Sequence, residues 1–91
     1  MESQQFEELL QQSQVQLVNF LHSELKLGRT FAEMTAYERR TGNLEHAELG
    51  KHHVGQAIQA IRKFSDRVSN EDTREQILKE CMELERTLDT L

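Results

Sequence analysis

Proline and tryptophan are absent from this 91-residue chain, glycine occurs four times and cysteine once. With so few turn-forming residues, a loop-rich or turn-rich β protein is excluded as the leading reading. The lone Cys81 cannot form an internal disulfide, so a reducing, cytoplasmic setting is expected. Long apolar runs are missing too: none approaches the roughly 18 residues of a membrane span. The opening MESQQFEELLQQ has neither the basic nor the apolar region of a secretory signal. Excess positive charge is also lacking. The net charge is −5 and the basic residues concentrate only at Arg39-Arg40 and Arg62-Lys63, each diluted by nearby acids. A nucleic-acid partner, which requires a positive footprint to release counterions, is therefore not expected, nor is a membrane partner.

What is present is helical material. Leu, Ile, Val and Phe together supply about a quarter of the chain, enough for one small core, and 91 residues leave no room for a second domain. The whole of 1–91 is read as one helical domain. The first helix begins near Ser3, whose hydroxyl can cap it, and runs to about Thr41. Phe6, Leu9, Leu10, Leu17, Phe20, Leu21, Leu27, Phe31 and Met34 recur along it at steps that suit one amphipathic face. The periodicity passes through Gly28 without a change of phase, which favours one long helix, bent there. A break at Gly28 would give four helices in place of three.

Thr41-Gly42-Asn43 is the clearest punctuation: Gly42 can adopt the left-handed conformation that ends a helix, and Asn43 can cap the next. The second helix then covers about Leu44 to Val68, with Leu44, Ala47, Val54, Ala57, Ile58, Ile61, Phe64 and Val68 as its buried stripe. Ser69 is the expected cap of a third helix over Glu71 to Thr90, with Asp72 in the reciprocal position. Along that helix Ile77, Cys81, Leu84, Leu88 and Leu91 step by four and three, a coiled-coil-like seam, and Glu75 and Lys79 are placed for an ion pair. Short connections make neighbouring helices antiparallel. The expected fold is all-α, an antiparallel three-helix bundle with a long first helix. The second helix is too short to cover the first. A stretch carrying Phe6, Leu9 and Leu10 is left over, for either the third helix or a second copy of the chain to cover.

Gly42 to Ile61 resembles the second half of a tetratricopeptide repeat, through Gly42, Ala47, Val54 and Ala57. Leu27-Gly28 and Phe31 resemble the Leu-Gly and aromatic positions of that family's first helix. The likeness spans residues 27–61; Gly28 and Gly42 stand twice as far apart as in the family, and its closing proline is missing. The resemblance implies a helical hairpin and protein–protein interaction. A single hairpin does not make the family's concave peptide groove, which takes several stacked repeats.

Candidate chemistry is sparse. His46, His52 and His53 lie on the second helix beside Glu45 and Glu48. Glu48 with His52, or His46 with His53, could supply two metal ligands, and a third would have to come from the first helix, for example Glu38. The simpler reading is a solvated outward face; metal or small-ligand binding through these histidines is the alternative function. No phosphate loop, HExxH or activated nucleophile is present, and Cys81 on an apolar seam is a poor thiolate. No cofactor and no enzymatic activity are expected. The functional expectation is a non-enzymatic interaction or assembly module whose partner is itself, as a homodimer, or another protein. The expected interaction residues are Phe6, Leu9, Leu10, Tyr37 and Arg40.

Overall fold

The computed structural model describes residues 2–91, with the side chains of Glu2, Ser3, Phe6 and Leu10 outside the described set. Three α-helices make up the fold: α1, Glu2–Arg40; α2, Leu44–Ser65; and α3, Glu71–Thr90. The expected all-α three-helix bundle with a long first helix is the observed architecture. Helix α1 is unbroken through Gly28, so the four-helix variant does not occur. Helix α2 lies antiparallel on α1, with Phe20 beside Phe64 and Phe31 beside His53. Helix α3 is antiparallel to α2 and parallel to α1, and the Arg62–Glu85 and Arg29–Glu80 ion pairs mark those contacts. The molecule is 61 Å long but only 19 by 15 Å across, because α1 alone spans about 58 Å at 1.5 Å per residue.

The buried face of α1 differs from the one its bulky residues suggested. Leu21, Leu25, Gly28, Ala32 and Thr35 follow at steps of four and three and are all buried. Leu27 and Met34, expected inside, are about half exposed. The reason is closeness of approach. A Cβ added at Gly28 would meet Leu84 Cδ2 at 2.6 Å and Ala57 Cβ at 3.4 Å, so all three helices converge on this glycine. One turn-pair further on, a Cβ at Gly50 of α2 would collide with the Thr35 hydroxyl. That hydroxyl donates back to the Phe31 carbonyl at 2.7 Å, which satisfies it in a buried position. Small residues therefore occupy the seam, and larger ones are displaced to its flanks. Glycine costs about 1 kcal/mol in a helix interior, whereas each buried Leu or Ile contributes about 1.5–3 kcal/mol, so close approach at Gly28 wins.

The α1–α2 turn closes as sequence predicted. Gly42 has φ +83°, the Asn43 N–H donates to the Glu38 carbonyl at 2.8 Å, and the Gly42 N–H donates to that of Arg39 at 3.3 Å. This is the two-bond closure of a Schellman motif. Asn43 precedes α2 with φ −86° and ψ 74° and makes no side-chain capping bond. Leu44, expected in the buried stripe of α2, is outside the core and exposed. Ser3 lies within α1, since the helix starts at Glu2, and so is not its cap.

Helix α2 ends at Ser65, earlier than Val68, yet Val68 is fully buried beyond it. Tight turns carry the chain there, with the Arg67 N–H on Phe64 and the Val68 N–H on Ser65. Asn70, rather than Ser69, caps α3: its side chain accepts from the Thr73 N–H at 2.9 Å. Ser69 stands one residue before the cap, and its own N–H donates to Gln14 Oε1. The seam of α3 is as expected, with Ile77, Cys81, Leu84 and Leu91 buried and Leu88 packed against them. Among the described residues, Glu75 and Lys79 do not form an ion pair. Burial raises the Cys81 thiol above its ordinary range, and the nearby Glu85 carboxylate raises it further.

Two measurements test this arrangement. No atom lies within 4 Å of a Cβ at Gly42, so the effect of Gly42→Val is purely conformational and should lower stability by about 1–3 kcal/mol. Gly55→Ala, in a helix interior with equally open space, should instead raise stability by about 0.5–1 kcal/mol. Denaturant midpoints that move in the same direction for both would mean a different joining of α1 to α2. Cys81 should react slowly with a thiol reagent in the native state and rapidly once unfolded; fast native labelling would place it on the surface.

Candidate interaction surface

The bundle stops before α1 does. The loop after α2 meets α1 at Gln14, whose Nε2 donates to the Arg67 carbonyl while its Oε1 accepts from the Ser69 N–H, both at 2.9 Å. One side chain thus binds both edges of the α2–α3 connection to α1. Helix α3 begins beside Val18 and runs parallel to α1 away from the N-terminus, passing Arg29, Ala32 and Ala36. It therefore does not cover the leftover stretch of α1, one of the two possibilities the sequence raised. Residues 2–13 continue as helix, and every described side chain among them is exposed. An isolated helix of that length is marginal in water, but here it grows from a helix already nucleated, and its glutamines are good helix formers.

Leu9, on this projecting segment, is 62% exposed. The side chains of Phe6 and Leu10, the other two expected interaction residues there, lie outside the described residues. Tyr37 and Arg40 are exposed at the opposite end of α1. Twenty-eight positions separate Tyr37 from Leu9, about 42 Å along the helix. The structure therefore does not gather the sequence-predicted interaction residues into one patch; it splits them between the two ends of the molecule.

The histidines lie near the α1–α2 turn. His53 stacks on Phe31 with ring centroids 4.7 Å apart, and its Nδ1 lies 3.3 Å from Gln56 Oε1. His46 and His53 line a shallow groove of about 160 Å³ with Phe31, Met34, Glu38 and Leu49. His52 and Glu48 are exposed. Among the described residues no three His, Cys, Asp or Glu side chains are grouped so as to hold a metal ion. The proposed third ligand from α1, Glu38, shares the groove with His46 and His53 but does not complete such a set. Also among the described residues, no helix is long and apolar enough to cross a membrane.

Sequence reasoning missed an aromatic edge at the end of the bundle nearer the projecting segment. Phe20 meets Phe64 edge-on with centroids 5.8 Å apart, and Phe20 is still 41% exposed. Lys63 Nζ and the Arg67 guanidinium lie 5.4 and 5.1 Å from the Phe64 ring centroid. These distances allow cation–π attraction and gather positive charge around an open apolar site. The signal was available: Phe64 and Arg67 are three apart, Lys63 adjoins them, and antiparallel pairing from the Gly42 turn brings residue 64 level with residue 20.

Gln14 sets where the bundle ends, and its two bonds are solvent-accessible ones worth about 0.5–1.5 kcal/mol each. Gln14→Ala should lower stability by about 1–2 kcal/mol. It should also speed amide exchange in the α2–α3 loop more than in the α1–α2 turn. Equal protection of both turns in the variant would show that Gln14 does not hold the loop.

Comparison with family models, with curated proteins and with solved structures finds no significant match, so the functional reading rests on the geometry of the chain itself.

Proposed function

We propose that this protein is a non-enzymatic interaction or assembly module that self-associates as a homodimer through the N-terminal part of α1. The observation that carries the reading is the overhang: α1 continues past Gln14 with Leu9 in water, and among the described residues every side chain of this segment is exposed. An apolar stripe on an otherwise polar, glutamine-rich helix is unfavourable alone and favours association. The hairpin of α1 and α2, with small residues where the helices touch, supports the same class of role that the tetratricopeptide-like stretch implies. A reducing, cytoplasmic setting goes with this reading, since the chain has one cysteine only.

Burial of three side chains such as Phe6, Leu9 and Leu10 contributes about 1.5–3 kcal/mol each. Association costs at least several kcal/mol in lost freedom, so these residues suffice only in a two-fold arrangement that uses them twice and recruits neighbouring surface. Sedimentation at micromolar concentration should show a dimer for the natural sequence and a helical monomer when Phe6, Leu9 and Leu10 are replaced together by Ser. A natural chain that sediments as a monomer throughout that range would overturn the proposal.

A further inference from the structure

Resting on that self-association, we propose how the two copies meet. Their α1 helices cross antiparallel with Ser13 opposite Ser13, and residues 2–13 of each copy lie in the α1–α2 groove of the other, over Phe20 and Phe64. At about 100° per residue, Phe6, Leu9, Leu10, Ser13, Leu17 and Phe20 fall on one side of α1. On the bundle this is the side next to α2, where Leu17 is half-buried and Phe20 stays 41% exposed beside Phe64. Over residues 2–13 the same side continues with α2 no longer present. A second copy running antiparallel brings each projecting segment to the end of the other bundle, where that side is still partly open.

Register selects the crossing point. Centred on Ser13, the pairing sets Phe6 against Phe20 of the second copy and Leu9 against its Leu17. The small serine stands where the two helices pass closest. Centred on Leu9, so that only the projecting segments overlap, the pairing sets Phe6 against Gln12 and leaves Phe20 open. Charge supports the first arrangement. Residues 2–13 contain Glu2, Glu7 and Glu8 and no basic residue. The edge they would reach carries Lys63 and Arg67, held over the Phe64 ring. Among the described residues neither cation forms an ion pair. Two-fold symmetry doubles every such contact, and opposite charge at the rim of an apolar contact fixes register.

The test combines charge exchange with a cross-link, each followed by sedimentation and circular dichroism. Glu7 stands at the rim of the apolar side, whereas Glu8 is on the opposite side of the helix. Glu7, Lys63 and Arg67 are all exposed, so their substitution leaves the core intact. Glu7→Lys should raise the dimer dissociation constant severalfold, and Lys63→Glu with Arg67→Glu should do likewise, while Glu8→Lys should change it less. The variant carrying Glu7→Lys, Lys63→Glu and Arg67→Glu together should return close to the natural value. Ser13→Cys should link to itself under mild oxidation, with peptide mapping separating a 13–13 bond from one involving the buried Cys81. Phe20→Cys should not link to itself. A natural chain that is monomeric sinks the self-association reading and this pairing with it. A dimer in which Phe20→Cys self-links, Ser13→Cys does not, or the exchanged charges fail to restore affinity overturns this pairing and leaves self-association standing.

Discussion

Close approach of three helices at Gly28 is the constraint on which the rest of the structure depends. Leu84 of α3 and Ala57 of α2 both reach the backbone of α1 there, because no side chain stands between them. That contact fixes the rotation of α1 about its axis. Once Gly28 faces inward, Leu21, Leu25, Ala32 and Thr35 must also face inward, and Leu27 and Met34 must face outward. The same rotation sets Phe31 on the flank, where His53 stacks on it, and Phe20 on the flank beside Phe64. A one-methyl obstruction at this point would be felt along the bundle, since interiors are packed without slack.

The ends of the bundle follow from backbone bookkeeping. At one end the Schellman closure at Gly42 uses the last carbonyls of α1 and turns α2 back immediately. At the other, α2 gives out at Ser65, and the connection to α3 must satisfy its own polar groups. Gln14 takes the Arg67 carbonyl and the Ser69 N–H, the Arg74 side chain takes the Val68 carbonyl at 2.8 Å, and Asn70 caps α3. Val68 is thereby held in the core although it lies outside any helix. Among the described residues, every side chain of α1 before Gln14 is exposed, so this polar contact with the loop marks the start of the projecting helix.

Core and projecting surface are separated along α1. The half of the helix from Leu21 onward carries the small-residue seam and is spent on the bundle. The segment before Gln14 carries Leu9 in solvent, acidic side chains and glutamines, and contributes nothing to the core among the described residues. Phe20, with Phe64, Lys63 and Arg67, sits at the boundary and belongs partly to both. Such a division lets surface substitutions on the projecting segment leave the core of the domain intact.

Helix number, the long first helix, the Gly42 turn and the seam of α3 were all legible in the sequence. They depend on local chemistry: spacing of apolar residues and a glycine able to take positive φ. The overhang was legible as well, as a difference in helix length. The buried face of α1 was not. Its seam is built from Leu21, Leu25, Gly28, Ala32 and Thr35, and three of those five have little hydrophobic weight, whereas the bulkier Leu27 and Met34 dominate any count of periodicity. The pairing of Gln14 with the loop was likewise hidden, because it joins residues more than fifty positions apart. The aromatic edge at Phe64 could have been read from antiparallel pairing about Gly42 and was missed. Ser69 and Asn70 are both capping residues by type, so residue type did not choose between them. The sequence by itself determined which segments are helical and where they turn, since those follow from neighbours within a few residues. Only the tertiary structure decided which side of α1 is inside, because that depends on how near another helix can come, and nearness is set by the absence of side chains as much as by their hydrophobicity.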